Sequence, residues 1–262
     1  MSETNFTTPP PQPAYAGPAA PAMSTPGTLT GIFFEPGATF EALRERPRFL
    51  VAAIIIVVLS LAVTVLLFNK IDYAAFMREQ IMKSPRASQM TPEQIDRAVA
   101  FYNGPIGKAF IYVIPLVGTA VFIAAGGALY LLGSMLMGGT MRYKQAVSVW
   151  TYSSFAPGVL SAVAAVIVVL LTPAEDINPT QPGGLVRANL GVLLGHGSSP
   201  ALAALLGSFD LFTFYGLFLA ALGLRKVGKM SSGSAWTIAA GLWLIGVLLK
   251  VGWAALFGQA AS

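Results

Sequence analysis

Five long apolar stretches separated by shorter polar segments dominate the hydrophobic pattern of this chain. The first, FLVAAIIIVVLSLAVTVLLF at residues 49–68, contains no charged residue and no proline. A helix rises about 1.5 Å per residue, so a stretch of about 20 residues crosses the roughly 30 Å hydrocarbon core of a bilayer. A helix also satisfies its own backbone hydrogen bonds, which lipid cannot do. The pattern therefore predicts a membrane-spanning helix here.

Four more stretches predict spans of the same kind. They cover residues 109–138, 146–172, 207–224 and 235–257. The second predicted span is longer than one crossing needs, so we expect it to tilt or to kink at Pro115. Pro157 predicts a similar kink in the third span, where Trp150 and Tyr152 are expected to anchor one end at the membrane interface. The predicted fold is all-α: a polytopic transmembrane bundle of five helices with short interfacial helices.

The segment before the first span predicts a tail and two short elements. Residues 1–27 are rich in Pro and Ala and poor in bulky apolar side chains, which predicts a disordered cytoplasmic tail. A membrane domain at residues 28–258 is expected to follow it. In residues 29–47, Pro36 suits the first turn of a helix, so two short interfacial elements are expected ahead of the first span.

The two longest polar segments are expected on the opposite side of the membrane from the tail. In residues 69–107, the Thr-Pro pair at 91–92 is typical of a helix start, and the apolar spacing predicts two short helices that form a hairpin. Residues 173–206 contain two apolar runs, 185–194 and 200–206, that are too short to span a bilayer. Both runs predict surface helices.

Composition agrees with a membrane protein and excludes several functions. Hydrophobic residues make up 55% of the chain and charged residues 10%, whereas soluble domains are about 25% charged. The net charge is +5, but the basic residues stand beside the spans and do not interleave with aromatic residues, which argues against a nucleic-acid partner. The chain has no cysteine, so disulfides, thiolate metal sites and cysteine nucleophiles are excluded.

The positions of the basic residues predict the orientation, because cationic flanks resist translocation. Arg44, Arg46 and Arg48 precede the first span. The short loops after the second and fourth spans hold further basic residues: Arg142, Lys144, Arg225, Lys226 and Lys229. In contrast, residues 173–206 hold Arg187 as their only lysine or arginine. We therefore expect the N-terminus in the cytoplasm and the C-terminus on the far side of the membrane.

Two charged residues fall inside the predicted spans, where ionisable groups are costly and often functional. Asp210 lies near the start of the fourth span and Lys250 near the end of the fifth. Both are therefore expected toward the outer leaflet, close enough to pair. One interpretation is that each reaches the interface or that the pair joins two helices, and the other is that they mark a polar point on a transport route.

A stripe of small residues marks one face of the third span. Ser154, Gly158 and Ala162 recur at every fourth residue, a spacing that lets another helix approach closely. Packing within the chain is the expected use of this stripe, with an oligomer interface as the alternative.

The motifs predict no catalytic, cofactor-binding or metal site. The single histidine, His196, lies in the sequence LGHGSSP, which does not fit the G-x-S-x-G nucleophile turn. One histidine without cysteine does not make a stable zinc site. Phosphate-loop, dinucleotide-binding and H-E-x-x-H motifs do not occur in the chain. The protein is therefore not expected to be an enzyme.

Three segments carry a family resemblance. They are FFEPGATFEALRERP before the first span, MRYKQAVSVWTYSSFAP at residues 141–157 and LLGSFDLFTFYGLFLAALGL at residues 205–224. Their order and spacing, over about residues 29–257, resemble the prokaryotic branch of the Yip family of five-span membrane proteins. One departure is that Phe214 and Tyr215 stand where the family commonly has Trp. The resemblance implies five helices in a bacterial cytoplasmic membrane, with a cytoplasmic N-terminus and an extracytoplasmic C-terminus.

The resemblance also implies a protein without established catalytic residues. Eukaryotic members of the family act in vesicle trafficking and bind Rab-type GTPases, partners that a prokaryotic member would lack. We therefore expect a membrane-organising scaffold that contacts membrane lipids and either forms a homo-oligomer or binds another membrane protein. The alternative is a small permease or an accessory subunit of a transport system, which would need a water-accessible cavity at Asp210.

Overall fold

The computed structural model describes residues 23–84, 87–181, 183–195 and 197–258. Within these ranges the chain forms ten α-helices joined by turns and short 3-10 helices. Residues 1–22 of the predicted tail lie outside the described residues, as does His196. The first helix begins at Thr25, inside the segment predicted as the tail.

Five of the helices in the described part of the chain are long and apolar enough to cross a membrane, which confirms the predicted all-α, five-span fold. They are α3 (Leu50–Lys70), α6 (Pro105–Leu136), α7 (Tyr143–Leu171), α9 (Leu211–Gly228) and α10 (Ser232–Phe257). Helices α6 and α7 continue through Pro115 and Pro157. Helix α7 lies at the centre of the bundle and contacts α3, α6 and α9.

The fourth span begins later than the apolar run predicts. The run continues from the short helix α8 (Pro200–Leu206) into α9, but the chain turns between them at Gly207. Asp210 then starts α9, because its carboxylate accepts a hydrogen bond from the backbone N–H of Thr213 at 3.0 Å. The predicted start at residue 207 is therefore corrected to Leu211.

The two short helices before the first span are α1 (Thr25–Phe34) and α2 (Pro36–Glu45), and Pro36 is the first residue of α2 as predicted. They are packed more deeply than a surface position requires. Ile32, Phe40 and Leu43 are all fully buried, with 0% exposure. These side chains belong to the same hydrophobic core as α7, α9 and α10. The α1–α2 pair therefore closes one end of the bundle, which we call the α1–α2 end.

Three polar contacts join the α1–α2 pair to the spans. The hydroxyls of Thr28 and Tyr152 are 2.9 Å apart, so Tyr152 packs inside the protein and is not the predicted interfacial anchor. Gln145 Nε2 donates to the Arg44 carbonyl oxygen at 2.7 Å.

The third contact is an ion pair between α9 and α2. Lys226 Nζ lies 2.5 Å from Glu41 Oε1, and this hydrogen-bonded charge lowers the pKa of the Glu41 carboxyl below its ordinary value. Glu41 is exposed and Lys226 is partly exposed, so this ion pair adds only about 0.2–1 kcal/mol to stability.

The predicted hairpin after the first span is present. Helices α4 (Tyr73–Met82) and α5 (Pro92–Asn103) pack against each other, and Arg78 forms a salt bridge with Asp96 between them. Thr91 caps α5 through a hydrogen bond from the Gln94 backbone, while the Gln94 side chain accepts from the Thr91 backbone N–H. The predicted cap at Thr91 and Pro92 is therefore confirmed.

The predicted surface helix at residues 185–194 is wrong. In its place, only Leu190–Leu193 form a 3-10 helix. Arg187 adopts a left-handed conformation with φ +53°, and Asn189 forms an isolated antiparallel bridge with Asp210. These conformations are incompatible with a continuous helix. The second predicted surface helix is present as α8, capped by Ser199.

Candidate functional site

A cleft of about 610 Å³ lies between α6 and α7 on one side and α9 and α10 on the other, and Gly158 of α7, which lines it, is exposed. It lies within the spans, and its walls combine aromatic rings with hydroxyl groups and one carboxylate. We call this space the lateral cleft.

The α7 wall of the lateral cleft is formed by small residues. Ser154, Pro157, Gly158 and Ser161 line it. A Cβ atom added at Gly158 would meet no other atom within 4 Å, so nothing in the described part of the chain covers this position. The stripe predicted from the sequence therefore faces open space at its centre. Ser154 and Gly158 of the predicted stripe line the cleft, but the next small residue that lines it is Ser161 and not Ala162.

An aromatic cluster from α6 and α7 forms the second wall. The ring of Trp150 lies between Phe122 and Tyr130, with ring centroids 5.0 and 4.7 Å away and edge-to-face geometry. Gly126 provides the space for this arrangement, since a Cβ atom there would lie 1.9 Å from Cε2 of Trp150. Trp150 is therefore a packing residue of the cleft wall, and its position at the membrane interface stays a prediction.

The indole N–H of Trp150 has no hydrogen-bond acceptor among the described residues, although the nitrogen is buried. A buried donor without an acceptor costs about 1–3 kcal/mol. Because Trp150 lines the lateral cleft, an occupant that carries a hydrogen-bond acceptor could relieve this cost.

The opposite wall combines α9 with α10. Asp210, Thr213 and Gly216 contribute from α9, and Trp243 contributes from α10. A Cβ atom at Gly216 would lie 3.3 Å from the Ser153 carbonyl oxygen, so α7 and α9 approach closely at this level. The Asp210 carboxylate thus has two roles that the sequence did not separate. It caps α9 and it faces the cleft.

Asp210 and Lys250, which were expected to lie close enough to pair, do not form an ion pair in the structure. In the described ranges, the salt bridges within 4.0 Å are Arg78–Asp96, Lys83–Glu79 and Lys226–Glu41. The Lys250 nitrogen lies 4.0 Å from the position that a Cβ atom would take at Gly207. Lys250 is therefore at the same end of the bundle as Asp210, beside the turn that precedes α9, and its side chain is exposed.

The remaining predicted positions lie apart from the cleft. Pro115 lines a small separate pocket between α3 and α6, and its carbonyl oxygen accepts a hydrogen bond from the Thr119 hydroxyl at 2.8 Å. The described residues contain no group of three or more His, Cys, Asp or Glu side chains that could hold a metal ion.

Comparison with known proteins places the chain in a family. The Yip1 domain model matches residues 30–254. The chain belongs to the Yip1-domain family. This membership confirms the resemblance read from the three sequence segments. The Yip1-domain protein is a multi-pass membrane protein with five candidate spans.

A bacterial relative supports the same assignment. This Yip1-domain protein is 27% identical over 228 residues to membrane protein YknW of Bacillus subtilis (strain 168), with 85% of this chain and 87% of the relative covered. No solved structure matches the chain.

Sequence reasoning missed the aromatic wall of the cleft, although the chain carries a signal for it. Phe122, Gly126 and Tyr130 are four residues apart and therefore share one face of α6. An aromatic residue, a glycine and a second aromatic residue at this spacing form a groove that can receive a large ring from a neighbouring helix.

Ser161 was also missed as a lining residue. Residues on one helix face follow one another at spacings of three or four, whereas the predicted stripe used a spacing of four throughout.

Proposed function

We propose that this Yip1-domain protein is a non-enzymatic, membrane-organising scaffold that holds a transmembrane helix of a partner protein in the lateral cleft. The observation that carries the proposal is the uncovered small-residue wall around Gly158, inside the spans. Helices associate in lipid by close packing at small residues and by hydrogen bonds from Ser and Thr, because water does not drive them together there.

The dimensions of the cleft support a helix as the occupant. Its α7 wall extends from Trp150 to Ser161, which corresponds to about 16 Å or three helical turns. The hydroxyls of Ser154, Ser161 and Thr213 can hydrogen-bond to side chains of an incoming helix. A polar side chain or a backbone carbonyl of that helix can accept from the Trp150 N–H.

Photocrosslinking from the cleft tests this proposal. A photoreactive phenylalanine analogue at Ser154 is expected to give a discrete protein adduct in native membranes, whereas the same analogue at Ile167, a 51% exposed residue of the same helix, gives lipid adducts. Gly158→Leu is expected to remove the Ser154 adduct, because the new side chain fills open space in the cleft without displacing its neighbours.

The mass of the adduct identifies the partner as a second copy of the chain or as another membrane protein. Lipid adducts alone at Ser154, or the same protein adduct from Ser154 and Ile167, would contradict the proposal.

The placement of Asp210 on the lateral cleft favours a second candidate, a small permease or an accessory subunit of a transport system. Asp210→Asn isolates the charge from the capping role, because Asn caps helices about as well as Asp. Solute flux into liposomes that is lost in Asp210→Asn would establish this second function and overturn the scaffold proposal.

We also infer that the α1–α2 end faces the cytoplasm. The support is the distribution of basic residues, because Arg44, Arg46 and Arg48 lie at this end and the two basic short loops join the same end of the bundle. The hairpin of α4 and α5 then lies on the opposite side.

A further inference from the structure

A second cavity, of about 380 Å³, lies at the α1–α2 end, and its lining shares no residue with that of the lateral cleft. Three parts of the chain meet around it: the start of α1, the residues that lead into α3 and the start of α7. We call it the basal pocket. It is distinct from the lateral cleft, and the proposed scaffold function makes no use of it.

Two cationic side chains line the basal pocket, and none of its lining residues in the described ranges carries a carboxylate. Arg48 and Lys144 contribute the positive charges. In the part of the chain that the structure describes, neither forms a salt bridge within 4.0 Å. At the α1–α2 end, the one ion pair among the described residues joins Lys226 to Glu41 and does not involve Lys144 or Arg48. No carboxylate oxygen of the described residues therefore lies within 4.0 Å of either cation.

The Arg48 guanidinium is held in place by a neighbouring hydroxyl. Its Nη1 donates to Thr25 Oγ1 at 3.0 Å, and Thr25 also lines the pocket. A guanidinium has five N–H donors in a planar fork, so one bond to a hydroxyl leaves donors for an anionic oxygen. Tyr152 closes the pocket from α7, fixed by its own contact with Thr28.

The first turn of α3 adds backbone donors to the same pocket. Phe49, Leu50 and Val51 all line it, and no side chain from the described part of the chain caps the start of this helix. Free N–H groups and the positive end of the helix dipole favour an anion at this position. The basal pocket is therefore lined by two cationic side chains and by an uncapped helix start, and no carboxylate of the described residues lines it. Each of these features favours a bound anion.

The residues around the basal pocket indicate which kind of molecule bears the anionic group. Leu50 and Val51 are 65% and 46% exposed at the start of a helix long and apolar enough to span a membrane, so these side chains offer an apolar surface to lipid chains beside the pocket. Basic pockets between spans at the cytoplasmic surface bind the headgroups of anionic lipids.

We propose that the basal pocket is a phosphate-binding site, filled by the headgroup of an anionic phospholipid or by a soluble phosphate. Arg48 and Lys144 bind the phosphate oxygens, and the first N–H groups of α3 face the same group.

Lipid binding to the purified full-length protein in detergent tests this site. We expect phosphatidylglycerol to bind at least tenfold more tightly than phosphatidylcholine with the same chains, as measured by native mass spectrometry and by thermal stabilisation, because the choline charge opposes Arg48 and Lys144. Inorganic phosphate and glycerol 3-phosphate form a separate arm. If these two compounds stabilise the protein, and if Lys144→Gln and Arg48→Gln remove that stabilisation, the bound phosphate comes from a soluble compound.

Lys144→Gln is expected to weaken phosphatidylglycerol binding about tenfold, since it removes a charge-assisted contact. Arg48→Gln should weaken binding at least as much. If loss of the Thr25 contact unfolds that variant, Lys144→Gln decides, because its side chain is exposed. Lys229→Gln is the matched control, an exposed lysine at the same end that does not line the pocket. Equal weakening by Lys144→Gln and Lys229→Gln would overturn the proposal. So would an unaltered protein that shows neither a preference for phosphatidylglycerol nor stabilisation by inorganic phosphate or glycerol 3-phosphate.

Discussion

Phe40→Ala is expected to lower the free energy of unfolding by about 3–5 kcal/mol, the usual cost of truncating a fully buried phenylalanine. Phe40 is 0% exposed, and its ring fills the space that Gly223 leaves on α9, where a Cβ atom would lie 2.8 Å from Cε1. The substitution leaves a cavity between α2, α7 and α9. For a chain of this size the loss corresponds to a melting temperature about 6–20 °C lower, measurable by thermal unfolding in detergent.

Phe34→Ala is the matched control for this prediction. Phe34 belongs to the preceding helix α1 but is 84% exposed. Its truncation should change the melting temperature by no more than a surface substitution does, within about 0.5 kcal/mol. Equal effects at the two positions would show that the α1–α2 pair does not pack into the bundle.

Gly127→Leu is expected to destabilise the protein by about 3 kcal/mol, at the upper end of the usual cost of overpacking. A Cβ atom at Gly127 would lie 2.4 Å from Val147 Cγ2 and 2.9 Å from Val147 Cα. Because a backbone atom is among these neighbours, a rotamer change cannot make room, and α6 must move away from α7. The melting temperature in detergent should fall by several degrees, with part of the protein eluting as aggregate on size exclusion.

Gly118→Leu provides the control on the same helix. A Cβ atom at Gly118 would meet nothing within 4 Å, so the same side chain adds no clash there. Replacing a helical glycine with leucine also improves helix propensity, so stability should stay equal or rise slightly. Similar losses at Gly118 and Gly127 would contradict the close approach of α6 and α7.

The sequence predicted the features that depend on local information. The length of an apolar run predicts a span because the bilayer fixes the required length, and all five spans were identified in this way. The cap at Thr91 was predictable for the same reason, since the capping hydrogen bonds join residues three apart. The start of α9 was missed because the apolar run crosses the turn at Gly207, and only Asp210 with Thr213 marks the new helix.

The candidate sites depend on which helix faces meet, and a single sequence does not contain that information. The stripe at Ser154 and Gly158 was visible, but whether a helix of the same chain covers it was not. The burial of Phe40 against α9 joins residues far apart in the chain, as does the pocket between Arg48 and Lys144. Hydrophobic periodicity reports that a face is buried and not what buries it.

Cysteine labelling tests the central claim, five crossings with the α1–α2 end in the cytoplasm. The chain has no cysteine, so each introduced residue reports alone. With a membrane-impermeant maleimide, Ser262→Cys is expected to label in intact cells, whereas Ser24→Cys and Ser231→Cys label only after the cells are opened. Labelling of Ser24→Cys and Ser262→Cys from the same side would contradict the five-span account and, with it, the placement of the basal pocket.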